Sequence, residues 1–97
     1  MLIGLTTFEL HLPQARSLKE KRKVVKSLVE RIHQRYRVSV LEAAHHDLHQ
    51  RAEIAVVLLA RDEVEIDRIM NGIRDTVDQR SEALVTRWDE RVLEGVE

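Results

Sequence analysis

The chain has 97 residues, of which 34% are charged and 43% apolar, so it has the length and composition of one soluble globular domain. This composition excludes an intrinsically disordered chain, and the absence of cysteine excludes disulfides, Cys-ligated zinc and a thiol nucleophile. The apolar runs are too short for a transmembrane helix, and the start of the chain does not have the pattern of a signal peptide. We therefore expect a single cytoplasmic domain over residues 1–97, with no membrane association.

The first half of the chain predicts a strand followed by a helix. Residues 1–12 are rich in apolar and β-branched types, and Pro13 follows directly. Ser17 and Glu20 have the spacing of a capping box, which marks the start of a helix. This helix has an apolar stripe at helical spacing, made of Leu18, Val25, Leu28, Val29, Ile32 and Tyr36.

The second half predicts two strands, a helix and a last strand. Alternation over residues 37–48 and an apolar run over residues 51–60 indicate strands joined by a turn at residues 47–50. A second capping box and a stripe from Ile66 to Val77 indicate a helix, in which Gly72 suggests a close contact with the sheet. Residues 83–93 form the last predicted strand.

The resulting order, βαββαβ, is typical of the ferredoxin-like α+β fold. This fold has two layers, with an antiparallel four-stranded sheet in the order 4-1-3-2 and both helices on one face. The third strand is apolar on both faces, for example at Val56 and Val57. Because the helices cover only one face, a protein partner or a second copy of the chain would bury the other. A homodimer is therefore one expectation.

Charge is distributed unevenly along the chain, although the formal net charge is only −1. Residues 16–37 carry nine basic and two acidic residues, a net charge of +7, whereas residues 38–97 carry seven basic and fourteen acidic residues, a net charge of −7. The exposed side of the first helix carries Lys19, Arg22, Lys23 and Lys26. Such a row of cations is suited to a phosphate backbone, as in RNA. The alternative is a solvated surface, or one paired with the acidic second helix within or between molecules.

The fold would bring the start of the first helix and the hairpin between the second and third strands to the same end. Lys21 lies on the inner side of the helix, so it would pair with Asp47 or Glu82 or else bind an anion. The predicted phosphate contacts are the four cations on the exposed side of the helix together with Lys21 and Arg51, which lies at the hairpin. The remaining polar residues that mark this as a functional end are His11, Asp47, His49 and Gln50.

A metal-dependent hydrolase using His11, His46, His49 and Asp47 is a remote alternative. These residues lack the spacing of a known metal motif, and histidine is common in polar hairpins. No serine lies in a nucleophile motif, and the three glycines form no phosphate-binding loop. The sequence therefore predicts no catalytic residue, no metal and no cofactor. Arginine outnumbers lysine 12 to 4, which suggests a thermophile or a GC-rich genome.

Two motifs resemble those of the YlxP-like family of small bacterial proteins of unknown function. They are Ser-Leu-Lys-Glu-Lys-Arg at residues 17–22 and Asp-x-x-Gln-Arg-Ala at residues 47–52, with Glu42 between them. The resemblance implies a ferredoxin-like fold and, through the genes that neighbour family members, a role close to translation and the ribosome. It implies no reaction, cofactor or catalytic residue. Many relatives have tryptophan where this chain has His49.

From these observations we expect a non-enzymatic protein that binds RNA or the ribosome through its first helix and the hairpin end. The alternative is an oligomeric protein-interaction module that uses the uncovered face of the sheet.

Overall fold

The computed structural model describes residues 1–94. It contains six elements in the order βαββαβ, which confirms the prediction. These are β1 (Leu2–His11), α1 (Leu18–Tyr36), β2 (Ser39–Ala44), β3 (Arg51–Ala60), α2 (Glu63–Asp78) and β4 (Leu84–Glu94). Residues 95–97 of the predicted domain lie outside the described residues.

β2 is the element whose bounds differ most from the prediction, because it begins at Ser39 and ends at Ala44. Arg37 and His45, which flank it, have φ angles of 52° and 65°. This left-handed backbone is incompatible with an extended strand. The strand is therefore confined between these two residues, and the loop to β3 is longer than the predicted turn.

The sheet has the order β2-β3-β1-β4, which is the predicted order read from the other edge. Every neighbouring pair of strands is antiparallel. β1 pairs along its whole length with β3, from Leu2 opposite Ala60 to His11 opposite Arg51. The ferredoxin-like fold class is thereby confirmed.

The two faces of the sheet have different environments. On the face covered by the helices, Phe8 and Leu10 of β1 and Ile54 and Val56 of β3 are fully buried. They form the core together with apolar residues of the two helices. The opposite face, here called the open face, carries the alternate residues of each strand, among them Val57, which remains exposed as the prediction required.

Both helices begin at the predicted caps. The hydroxyl of Ser17 accepts a hydrogen bond from the Glu20 amide, and the carboxylate of Asp62 accepts one from the Glu65 amide. Each bond satisfies one of the amides that a helix start leaves without a partner in the helix. Within residues 1–94, neither helix combines the length and the hydropathy needed to cross a membrane.

Gly72 permits a close contact between the two helices, and the prediction of a helix–sheet contact is wrong on this point. A Cβ atom placed on Gly72 would lie 2.6 Å from the hydroxyl oxygen of Tyr36 in α1. The same hydroxyl lies 3.3 Å from the hydroxyl oxygen of Thr76, one turn further along α2. Tyr36 ends the apolar stripe of α1, so its ring reaches across to α2 instead of down to the sheet.

We expect Gly72→Ala to lower the free energy of unfolding, even though alanine is favoured over glycine in helices by about 1 kcal/mol. The added methyl group overlaps the Tyr36 ring, and overpacking of this kind costs about 1–3 kcal/mol. In a Tyr36→Ala background the ring is absent, so the same substitution should become stabilising. Urea unfolding of the parent protein, Gly72→Ala, Tyr36→Ala and the double variant measures both effects. A Gly72→Ala effect of the same sign in both backgrounds would contradict this interpretation.

Candidate nucleic-acid interface and hairpin end

The exposed side of α1 carries the four predicted cations, which we call the basic surface. It consists of Lys19, Arg22, Lys23 and Lys26, all exposed. Within residues 1–94, none of these side chains lies within 4.0 Å of a carboxylate, so no ion pair with the acidic α2 is formed inside the molecule. Their charges therefore remain available to an external anion.

The orientation of α1 explains this exposure. Val25, Leu28 and Ile32 are buried against the sheet, so the side of the helix with the opposite helical phase faces solvent. Ser27, one turn after Lys23, accepts a hydrogen bond from Arg80 at the border of the basic surface. The basic surface is left uncovered between these regions.

The start of α1 contributes less to anion binding than a bare helix terminus would. Glu20 accepts a hydrogen bond from the Arg16 amide, so its carboxylate lies at the N-terminal end of the helix. This negative charge offsets the partial positive charge of the helix terminus, and Ser17 already occupies the Glu20 amide. Any affinity for phosphate must therefore come from the cationic side chains.

Lys21 is fully buried, with 0% of its side chain exposed, so it cannot contact a phosphate group of an external ligand. Its Nζ lies 3.0 Å from Glu42 Oε2 in β2. The predicted partners Asp47 and Glu82 are therefore wrong. The contact is an ion pair that lacks hydrogen-bond alignment, since Glu42 Oε2 has no hydrogen bond. Glu42 follows the alternation of Val38 and Val40, which is the sequence signal that would have identified it.

The ammonium group of Lys21 also holds the loop between β2 and β3. It donates hydrogen bonds to the backbone carbonyl oxygens of His45, at 2.8 Å, and Arg51, at 3.3 Å. These carbonyls lie at the two ends of the loop. Lys21 therefore closes the hairpin from inside, which is a structural role.

Arg51 lies on the open face, away from the basic surface. Its Nε donates a 2.7 Å hydrogen bond to Glu9 Oε1, and its Nη2 contacts the same oxygen. Through this hydrogen bond, Arg51 lowers the pKa of the Glu9 carboxyl below its ordinary value. Because the helices cover only the other face, Arg51 and the basic surface lie on different sides of the sheet.

Three of the four residues of the predicted functional end come together. His11, His49 and Gln50 line a shallow cavity of about 300 Å³, together with Leu48 and Arg51. Asp47 does not line this cavity. The end is held by backbone contacts: the Gln50 carbonyl accepts hydrogen bonds from the Leu12 amide, at 2.8 Å, and from His11 Nδ1, at 3.2 Å.

The side chain of Gln50 ties the hairpin to the loop between β1 and α1. Its Nε2 donates to the carbonyl oxygens of Pro13, at 3.2 Å, and Ala15, at 3.5 Å. Since these bonds occupy the amide nitrogen, Gln50 serves to position the hairpin. Beside this cavity His49 is exposed and His11 is half-buried.

The histidines of this end do not form a metal-ligand set. His46 Nε2 lies 3.2 Å from the Glu42 carbonyl oxygen, whereas His11 is directed to Gln50. Within residues 1–94, no three His, Cys, Asp or Glu side chains are close enough together to hold a metal ion. The geometry therefore does not support a metal-dependent hydrolase that uses His11, His46, His49 and Asp47.

Comparison with known proteins assigns the chain to a family. Residues 3–90 match the family described as "Protein of unknown function (DUF503)". The chain belongs to the DUF503 family. It is also similar to the uncharacterized protein YlxP of Bacillus subtilis (strain 168), with 27% identity over 90 residues that cover 91% of this chain and 98% of YlxP. The resemblance to YlxP-like proteins is thus confirmed.

Solved structures share the fold of this DUF503 protein at low sequence identity. A proposed antibiotic biosynthesis monooxygenase from Deinococcus radiodurans has a TM-score of 0.65 at 17% identity, covering 100% of this chain and 94% of that chain. A de novo designed protein with a ferredoxin fold has a TM-score of 0.52 at 12% identity, covering 100% and 88%. At such identities the likeness establishes the fold alone.

Proposed function

We propose that this DUF503 protein binds structured RNA, free or within a ribonucleoprotein such as the ribosome, through the basic surface of α1. The observation that carries the proposal is that its four cations are exposed and, within residues 1–94, lack carboxylate partners. Lysine and arginine side chains bind phosphate oxygens and position a nucleic acid without reading its sequence.

The geometry of α1 supports this ligand class. Lys19 and Lys26 are seven residues apart, a distance of about 10 Å along the helix axis at 1.5 Å per residue. Cations spread over this length match several successive phosphate groups better than a single small anion. The sheet offers no stacking platform, because Phe8 is buried and Trp88 stacks on it on the helix-covered face. We therefore propose recognition of a backbone and not of bases.

The proposal is tested by measuring the binding of a fluorescein-labelled RNA hairpin by fluorescence anisotropy at increasing salt concentration. Four phosphate contacts predict a slope of log K against log salt of about −3, hence a loss of affinity of about 60-fold between 50 and 200 mM salt. The double variant Lys23→Glu/Lys26→Glu removes two of the four contacts and should reduce the magnitude of this slope by about 1.5.

The matched control is Arg61→Glu/Arg68→Glu, which changes the net charge by the same amount at exposed positions away from α1. It should retain the salt dependence and most of the affinity of the parent protein. Absence of binding at low salt, or equal losses in the two double variants, would refute the proposal. Binding of a DNA hairpin of the same sequence shows whether the geometry of the RNA duplex contributes to the affinity.

A further inference from the structure

The open face of the sheet is divided into an apolar end and a charged end. Strand pairing places Leu59, Ile3 and Leu93 side by side across β3, β1 and β4, and Val57 lies beside Leu5 in the next row. Of these, Leu59 has 64% of its surface exposed and Leu93 52%. Large apolar side chains that lie together at such exposure mark an interaction surface.

The charged end is electrically neutral as a whole. It comprises three acidic and three basic residues, namely Glu9, Glu53, Asp89, Arg51, Arg87 and Arg91. Most of these charges are paired within the molecule, since Arg51 binds Glu9 and Arg87 lies 2.9 Å from carboxylate oxygens of both Glu53 and Asp89.

This neutrality favours a second copy of the chain as the partner. Two identical surfaces repel each other when they carry a net charge, as two basic surfaces of α1 would. The open face has no such barrier, because its charges sum to zero with histidine neutral and are largely satisfied before association. For a strongly acidic or basic partner, in contrast, this face offers no net charge of opposite sign.

The size of the open face also suits a dimer. Strands of 10 residues are about 33 Å long, and four strands spaced by about 4.8 Å give a width of about 19 Å. The flat footprint is thus about 600 Å², and the accessible area of its protruding side chains is larger. A standard interface buries about 800 Å² on each partner, so one face of this size is sufficient.

We propose that two copies of this chain pack with their open faces against each other about a two-fold axis. The apolar ends, with Leu59 and Val57, pack against each other, and the paired charges occupy the other end of the interface. Leu41 of β2, which lies beside Ala55 of β3 and is 58% exposed, extends the apolar contact. Sheets stacked in this way lie about 10 Å apart. Both helix layers then face outward, so the basic surface of each copy stays accessible. The proposal is independent of RNA binding.

Sedimentation equilibrium over a range of protein concentrations tests the dimer. The parent protein should be dimeric, and Leu41→Lys and Leu59→Lys should each weaken the dimer by about 30-fold or more, because each places a charge on an apolar contact of the interface. The matched control is Val64→Lys, because Val64 is 78% exposed but lies on α2. It should leave the dimer unchanged.

Circular dichroism of each variant establishes that the monomer remains folded. A parent protein that stays monomeric at the highest concentration would overturn the proposal. Equal weakening by Val64→Lys would also overturn it. Dimers that resist both open-face substitutions would indicate pairing through the exposed edge of β4 and would equally reject packing through the open face.

Discussion

Replacing Lys21 with methionine should lower the free energy of unfolding by about 3 kcal/mol. Removing one member of a buried ion pair costs about 3–5 kcal/mol, because the other charge is left without compensation. We place the effect at the lower end of this range, since Glu42 keeps 17% of its side chain exposed. The loss also releases the carbonyls of His45 and Arg51, which Lys21 holds at the ends of the hairpin loop.

Urea unfolding, followed by circular dichroism and by the fluorescence of the single tryptophan, measures this effect. Lys23→Met serves as the control, because Lys23 lies two positions away on the exposed side of the same helix and should change stability by less than about 0.5 kcal/mol. The double variant Lys21→Met/Glu42→Leu should recover part of the loss, since it also removes the orphaned charge. Similar effects of Lys21→Met and Lys23→Met would show that the pair contributes little.

The environment of Lys21 could be predicted from the sequence only in part. Helical phase alone places it on the inner side of α1 with Leu18 and Val25, and the structure buries it there. Its partner Glu42 could have been identified from the alternation of β2, whereas its hydrogen bonds to loop carbonyls could not, because the β2–β3 loop turns at His45 through a left-handed conformation. That turn directs two loop carbonyls to Lys21. The conformation of a loop depends on such tertiary contacts more than on its own sequence.

The fold was predictable for a different reason. Its helices and β2 each show one hydrophobic period, β1 and β3 are rich in apolar and β-branched residues, and both helix starts carry predicted N-cap residues that the structure confirms. The predictions were wrong where one side chain can contact either of two neighbouring groups. Tyr36 contacts Gly72 on the other helix instead of the sheet, and Lys21 pairs with Glu42 instead of Asp47 or Glu82. Both outcomes depend on which face of an element a residue occupies.

Phe8→Ala should cost about 3–5 kcal/mol of stability, the usual range for removing a buried aromatic ring. Phe8 is fully buried in β1, the strand that pairs with both β3 and β4. Its ring stacks on Trp88 with centroids 4.8 Å apart and an angle of 19° between the planes. The guanidinium of Arg74 lies 5.0 Å from the centre of the Trp88 ring, so the stack also connects β4 to α2.

The stack gives this prediction two independent readouts. Domains of this size have a total stability of about 5–15 kcal/mol, so Phe8→Ala should shift the urea midpoint strongly and change the emission of Trp88 in the folded state. Phe8→Leu keeps most of the apolar volume and should cost less than about 1.5 kcal/mol while still changing that emission. If Phe8→Ala and Phe8→Leu were equally destabilising, the loss would come from the aromatic contact and not from the cavity. If neither changed the unfolding midpoint, Phe8 would not belong to the core that joins β1, β4 and α2.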